Sequence, residues 1–258
     1  MTLKKTIAHL WLNPFKVWNF FVNIPGTARD YMALRKELKK NTDFKISNFF
    51  LITTEKSDES GSIQWHYFRQ DLFMARRIFE NKPMKHIDIW SRVDGFVAHV
   101  ASFRDIEVFD IREQKNSISN IIFVQQNLME LPEKYIDYTD SISSLHAIEH
   151  FWLGRYGDPI DANWHIKWLD NITKILKKWW KFYFSVPIWP QRIEFNAHRV
   201  CSLRYLMNYF QKNYHFDAIS IINDSSEFFE NIDLDDVKNI DTNFWCNYWC
   251  WLFELTKK

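Results

Sequence analysis

The chain has 258 residues, with 33 Lys plus Arg against 32 Asp plus Glu, a net charge of +1 and three cysteines. That length suits one α/β-sized core with peripheral elements, and the even charge balance gives no reason to expect nucleic acid or a strongly acidic substrate. Cys201, Cys246 and Cys250 make no disulfide framework, and the last two lack the partners of a zinc ribbon, which points to a reducing cytoplasm and no structural metal.

The first forty residues carry eight basic residues against Asp30 and Glu37, with aromatics interleaved. IAHLWLNPFKVWNFFVNIP is broken by Asn13, Pro14, Lys16 and Asn19, so it reads neither as a signal peptide nor as a membrane span. Residues 1–65 read as a helical extension, packed on the main core or peripherally on an anionic bilayer. Residues 66–258 read as the main domain. A polar loop over 56–62 precedes a helix over 67–80, and strands and helices then alternate. HIDI (86–89), IEVFDI (106–111), NIIFV (120–124) and SISSL (141–145) read as strands, with a helix over 93–102 after the first. A helix from Asn163 leads to a strand over 181–186. A helix over 204–213, a strand over 216–222, an acidic solvated loop over 224–241 and a last strand over 246–255 complete the chain. This alternation predicts an α/β domain, a mainly parallel sheet with helices on both faces. Ligands of such folds bind beyond the carboxyl ends of the strands.

Glycine is the anomaly. The chain holds 5 glycines where average usage predicts about 18, and 13 tryptophans, so the two types together make up the glycine expectation. Trp179 and Trp180 stand in KKWWKF, between a helix and a strand, where the reversal usually uses glycine at positive φ. Trp90 stands in the turn of HIDIWSRVDGF, again a glycine position.

That turn is the first candidate site. A strand ending at Asp88-Ile89, a tight turn and a helix N-terminus are where nucleotide-type cofactors meet this architecture, so Asp88, position 90 and Ser91 are candidate cofactor contacts. Asp110 ends the next strand, where a carboxylate accepts from ribose hydroxyls; its other reading is a helix cap or surface charge. Arg92 replaces the second glycine of GxGxxG, which weakens a dinucleotide reading. His146-x-x-Glu149-His150 has the spacing of the inverted zincins, but that motif needs a continuous helix, and His146 follows directly on a strand. His146 and His150 are candidate general bases or structural histidines. Arg155, Tyr156 and Asp158 in one loop and Glu194, Asn196, His198 and Arg199 in another are candidate contacts for a polyhydroxylated or anionic acceptor, or loop-to-loop ion pairs.

HIDIWSRVDGFVAHVASF, FDIRE, QQNLMELP, SLHAIEHFWLGRYGDPIDANWHIKWLDNITKILKKWW, FSVPIWPQRIEFNAHRV and YWCWLFELTKK resemble, in this order, the family catalogued as domain of unknown function 268. That family is similar in turn to class I S-adenosylmethionine-dependent methyltransferases. The resemblance covers 67–258, with LGRYGDP and FNAHR its most specific pieces. It implies a Rossmann-like class I methyltransferase sandwich with a mainly parallel seven-stranded sheet. It further implies S-adenosylmethionine as cofactor, adenine contact at Asn127 and Leu128, with a loop-capping asparagine the other reading of Asn127, His146 beside the methionine moiety, and methyl transfer to a small or glycan-type acceptor. The alternative is a non-catalytic scaffold or binding protein in surface-polysaccharide assembly. The family pattern also implies glycine at Trp90, Trp152, Trp164, Trp179, Trp180, Trp189, Trp249 and Trp251, with Trp168 a further candidate. One uniform swap of this kind points to a single codon, since UGA is read as tryptophan in some genetic codes and as glycine in others.

Overall fold

The computed structural model describes residues 14–39, 45–47, 66–155, 160–233, 240–245 and 249–258. The chain divides into two compact units, Met1–Ser62 and Ile63–Lys258. In the first, Pro14–Leu38 forms a helix, α1, with Pro25 inside it. Trp18, Phe21, Val22 and Met32 are exposed on it, and among the described residues no helix is long and apolar enough to cross a membrane. The polar loop expected over 56–62 lies outside the described residues.

The second unit opens with α2, His66–Asn81, whose buried Phe73, Met74, Ala75 and Ile78 join one core cluster. It ends where Lys82 turns to φ 45 and Pro83 follows, because a left-handed residue and then proline cannot continue a helix. The strands are β1 (Ile87–Ile89), β2 (Ile106–Asp110), β3 (Ile121–Gln125), β4 (Thr139–Leu145), β5 (Leu176–Ile188), β6 (Arg192–Glu194), β7 (His198–Val200), β8 (Tyr214–Ile222), β9 (Phe228–Phe229) and β10 (Trp249–Lys257). Between them lie α3 (Ala98–Ala101), α4 (Trp164–Ile175) and α5 (Leu203–Phe210). The main sheet runs β3-β2-β1-β4-β5-β10-β8-β9. β3, β2, β1, β4 and β5 are mutually parallel, and β10 is antiparallel to β5 and β8.

Period-two alternation divides the core into two layers. On β5, Phe182, Phe184 and Val186 face α4 and α5, while Tyr183 faces α2. On β10, Trp251, Phe253 and Leu255 take the first face and Cys250 and Leu252 the second. α4 buries Trp164, Trp168, Leu169, Ile172 and Ile175, one helical stripe. α5 is capped by Ser202, whose Oγ accepts from the Tyr205 N–H at 3.2 Å.

Several expectations need correction. Among the described residues the main sheet has eight strands rather than seven, because Phe228 and Phe229 inside the acidic run pair with Ile222 and Ile221 and Phe228 packs edge-on to Phe73 at 4.8 Å. β6 and β7 form a separate hairpin where only loop was expected; RIE and HRV are too short and polar to announce themselves. The helix expected over 93–102 starts with a wide turn, Val93–Val97, in which the Val97 N–H reaches the Arg92 carbonyl at 3.3 Å, and only then becomes α3. α5 stops at Phe210, short of the expected Asn213. The described part of the last strand starts at Trp249 and runs on to Lys257.

The reversal expected at Trp179 and Trp180 is instead a bulge inside β5: Trp179 has φ 66, and Lys177 through Trp180 bulge out of the sheet between the pairings Thr139–Leu176 and Ser141–Lys181. A left-handed L-residue costs about 1–2 kcal/mol that glycine avoids.

Candidate functional site

β4 reads TDSISSL and is wholly buried, so each hydroxyl needs a partner inside the protein. The partners come from the β1 side. Thr139 Oγ1 donates to the Lys85 carbonyl at 3.0 Å and Ser144 Oγ to the Ile89 carbonyl at 2.9 Å. His86 lies between Ser141 Oγ at 2.7 Å and Ser143 Oγ at 3.0 Å, and Ser143 Oγ donates to Asp88 Oδ1 at 2.6 Å. Because Ser143 spends its proton on Asp88, His86 donates from Nε2 and accepts at Nδ1. Burial holds this imidazole neutral, with its pKa lowered to about 3.

Asp88 then shapes the turn after β1. Its Oδ2 accepts from the Ser91 N–H at 2.9 Å, its Oδ1 from Ser91 Oγ at 2.7 Å, and Ser91 Oγ accepts from the Leu145 N–H. Burial pushes Asp88 up to about 6, with the hydrogen bonds from Ser143 and Ser91 pulling it back. Asp88 and Ser91 therefore brace the turn from beneath. Ser143→Ala removes a hydrogen bond to a buried carboxylate and should cost about 1.5–3 kcal/mol at neutral pH. Urea midpoints should show that loss shrinking as pH falls through the Asp88 pKa, since a protonated Asp88 needs the donor less.

Trp90, in the turn, has φ 66. Its ring meets Phe151 edge-on at 3.7 Å between centroids, closer than the usual range of about 4.5–7 Å, and its Nε1 is buried with no hydrogen-bond partner among the described residues. Arg112 lies over the same ring at 5.7 Å and donates from Nη2 to Asp110 Oδ2 at 2.6 Å. The carboxylate at the end of β2 thus sits beside the β1 turn, as the ribose reading requires, but with a guanidinium and an indole in front of it. Asn127 Oδ1 accepts from the Met129 N–H at 3.0 Å, and buried Leu128 offers its carbonyl to Asn171 Nδ2 at 2.6 Å.

Beyond β4, His146 has φ 48 and is buried. Its Nδ1 is 2.9 Å from Glu149 Oε1 and its Nε2 3.2 Å from Cys250 Sγ. Cys250 Sγ donates to Gln70 Oε1 at 3.2 Å, Ser185 Oγ donates to the same oxygen at 2.7 Å, and Gln70 Nε2 donates to Asp71 Oδ1 at 3.0 Å. With the imidazole doubly protonated every one of these donors has an acceptor. Burial opposes that charge, but Cys250 and Glu149 raise His146 well above 6.5; burial likewise opposes the Glu149 carboxylate, and His146 brings it below 4.5. His66 and Tyr67 of α2 pack on the His146 ring at 4.8 and 5.3 Å. The zincin spacing is not on a continuous helix: only Ile148–His150 is helical, and His146 precedes it in a left-handed conformation.

His150 is more open, with Nδ1 3.0 Å from the Ala197 carbonyl, and Arg155 Nη1 donates to that carbonyl at 3.0 Å. Glu194 accepts from Arg192 Nη2 at 2.6 Å and lies 3.1 Å from His198 Nε2. Asn196 is exposed at the tip of the β6–β7 hairpin. Arg199 is buried and donates to the carbonyls of Phe151 and Asp161, tying two loops together. Tyr156 and Asp158 lie outside the described residues. The structure thus brings Asp88, Trp90, Ser91, Asp110, His146 and His150 to one edge of the sheet. Gln70, Cys250, Ser143 and Arg112 belong with them and were not singled out; a D-x-R pair was visible for Arg112, and nothing in the sequence joins positions 70, 146 and 250.

Solved structures of the same architecture include the YcgJ protein from Bacillus subtilis, 14% identical, with TM-score 0.52 over 74% of this chain and 98% of that one. The 1,6-didemethyltoxoflavin-N1-methyltransferase of Burkholderia thailandensis, solved with 1,6-didemethyltoxoflavin and S-adenosylhomocysteine, is 11% identical, with TM-score 0.51 over 76% and 79%. The [4+2]-cyclase SpnF is 10% identical, with TM-score 0.52 over 73% and 80%. These likenesses establish the Rossmann-like fold of class I methyltransferases, a fold that carries more than one reaction. No curated protein sequence matches the chain. The family model described as "Caenorhabditis protein of unknown function, DUF268" matches residues 79–245, well over half of the length, and the chain belongs to that family.

Proposed function

We propose that the protein is an S-adenosylmethionine-dependent methyltransferase whose competent form has glycine at position 90. The supporting observation is the turn after β1: a left-handed residue braced by Asp88 and Ser91, with the Asp110 carboxylate beside it. The residues as they stand do not fit a nucleoside cofactor, because the indole of Trp90 fills the turn and Arg112 occupies Asp110. With glycine at 90 the backbone can approach a ligand and the ribose-facing carboxylate becomes reachable. The cofactor supplies an electrophilic methyl group, and the chain's part is to hold the acceptor in line with it. Of the two candidate bases, His150 is the better placed. Its side chain is 19% exposed against 4% for His146, and both His146 ring nitrogens are already engaged. The acceptor we favour is small or glycan-type, because Arg155 and His198 flank His150, and Glu194 and Asn196 stand on the same β6–β7 hairpin as His198, with groups suited to hydroxyls and anions.

The test is titration of S-adenosylhomocysteine into the Trp90 chain and Trp90→Gly. Binding at least tenfold tighter in the glycine form, about 1.4 kcal/mol, is the expected result. A glycine form that binds no cofactor but sediments with anionic vesicles would favour the other reading, a scaffold docked through α1 with its exposed Trp18 and Phe21 among basic residues.

A further inference from the structure

We infer that the natural chain carries glycine rather than tryptophan at positions 90, 152, 164, 179 and 251, and that the indoles at 90, 152 and 164 fill a mouth at the carboxyl edge of the sheet. The residue identities stand without the reaction proposed above, whereas the use of the opened mouth rests on it.

Two independent observations carry the identities. Trp90, Trp152 and Trp179 have φ of 66, 57 and 66, left-handed values at which a bulky L-residue is an outlier. Trp90 and Trp152 stand at chain reversals, after β1 and after the Ile148–His150 turn, and Trp179 stands in the bulge inside β5. The backbone path demands that conformation whatever the side chain, and glycine alone adopts it freely. The second observation concerns the indole N–H, a donor that normally finds a partner when buried. In Trp90, Trp164 and Trp251 it is buried and finds none among the described residues. A tryptophan selected for its packing would not meet both faults at position 90.

The placement of these rings gives the consequence. Trp90 lies on Phe151, Phe151 lies on Trp164 at 5.5 Å, Trp152 stacks on Trp164 at 5.6 Å, and Trp164 meets Trp168 at 5.9 Å. This is one continuous aromatic mass between the end of β1, the turn after β4 and the start of α4. Glycine at 90, 152 and 164 removes most of it, leaving Phe151 and Asp110 as walls that suit a base or ring on one side and a diol on the other.

Mass spectrometry of native peptides spanning 90, 152 and 179, taken from the source cells, should read glycine; tryptophan masses would overturn the inference. A recombinant measurement tests the backbone argument separately. Trp179 is 67% exposed, so Trp179→Gly loses little packing and should raise the thermal midpoint, and a lowered midpoint would count against glycine there. S-adenosylhomocysteine should bind the chain with glycine at 90, 152 and 164 and not the tryptophan chain. Glycine peptides together with no such binding would uphold the identities and sink the proposed methyl transfer alone.

Discussion

Glu149→Gln should destabilise the protein by about 3–5 kcal/mol at neutral pH, because it breaks a buried ion pair and the imidazole must then stay charged without its carboxylate or give up its proton. Both side chains are almost wholly enclosed, 4% exposed for His146 and 1% for Glu149. The pH dependence separates this from ordinary loss of packing. The folded His146 pKa lies above its usual 6.5, so its contribution is complete below 6.5 and is lost as pH rises through the folded value. The folded Glu149 pKa lies below its usual 4.5, so its contribution is complete above 4.5 and is lost as pH falls through the folded value. The pair therefore supports the fold most strongly between those two ordinary values, and the parent should weaken on the alkaline side. In Glu149→Gln the imidazole is buried without an anion, so desolvation lowers its pKa and stability should instead fall as pH drops. Urea denaturation from pH 4.5 through the alkaline side of 6.5 reads both behaviours, and parallel profiles in parent and variant would rule out the ion pair.

Most of the sheet was legible because its strands are short apolar runs between turns: HIDI, IEVFDI and NIIFV each lie within two residues of β1, β2 and β3. What escaped were elements whose residues do not look like strands. RIE and HRV pair only because the chain folds back at Asn196, and Phe228–Phe229 is an edge strand inside an acidic run. The position of Asp88 was legible and its orientation was not, since the serines that turn it inward belong to β4 and to the turn it braces. His146 was legible as an HxxEH member, but its real neighbours, Cys250 and Gln70, come from opposite ends of the domain and meet only through the sheet order. The tryptophans are the converse case. Composition alone marks them, because a fold with this many reversals needs more left-handed residues than five glycines can supply.

The same asymmetry between an ion pair and its halves governs the contact that fastens α2 to the sheet. Glu254 stands on β10 between Tyr183 and Ala218, and its side chain is 2% exposed. Arg77 of α2 donates to it from Nε, at 2.8 Å to Oε1 and 2.9 Å to Oε2. Burial holds the Glu254 pKa above its usual 4.5 even though Arg77 pulls it down, so the carboxylate is uncomfortable even when paired. Arg77→Met should therefore cost about 3 kcal/mol at neutral pH, the low end for a buried pair because Arg77 itself is 35% exposed. The loss should shrink in mild acid, where Glu254 takes up a proton and no longer needs the guanidinium. Replacing both residues, Arg77→Met with Glu254→Met, removes the stranded charge as well as its partner, and should return most of the stability or exceed the parent. A double variant as unstable as Arg77→Met alone would mean that the hydrogen-bonded geometry, not the desolvated charge, sets the strength of this contact.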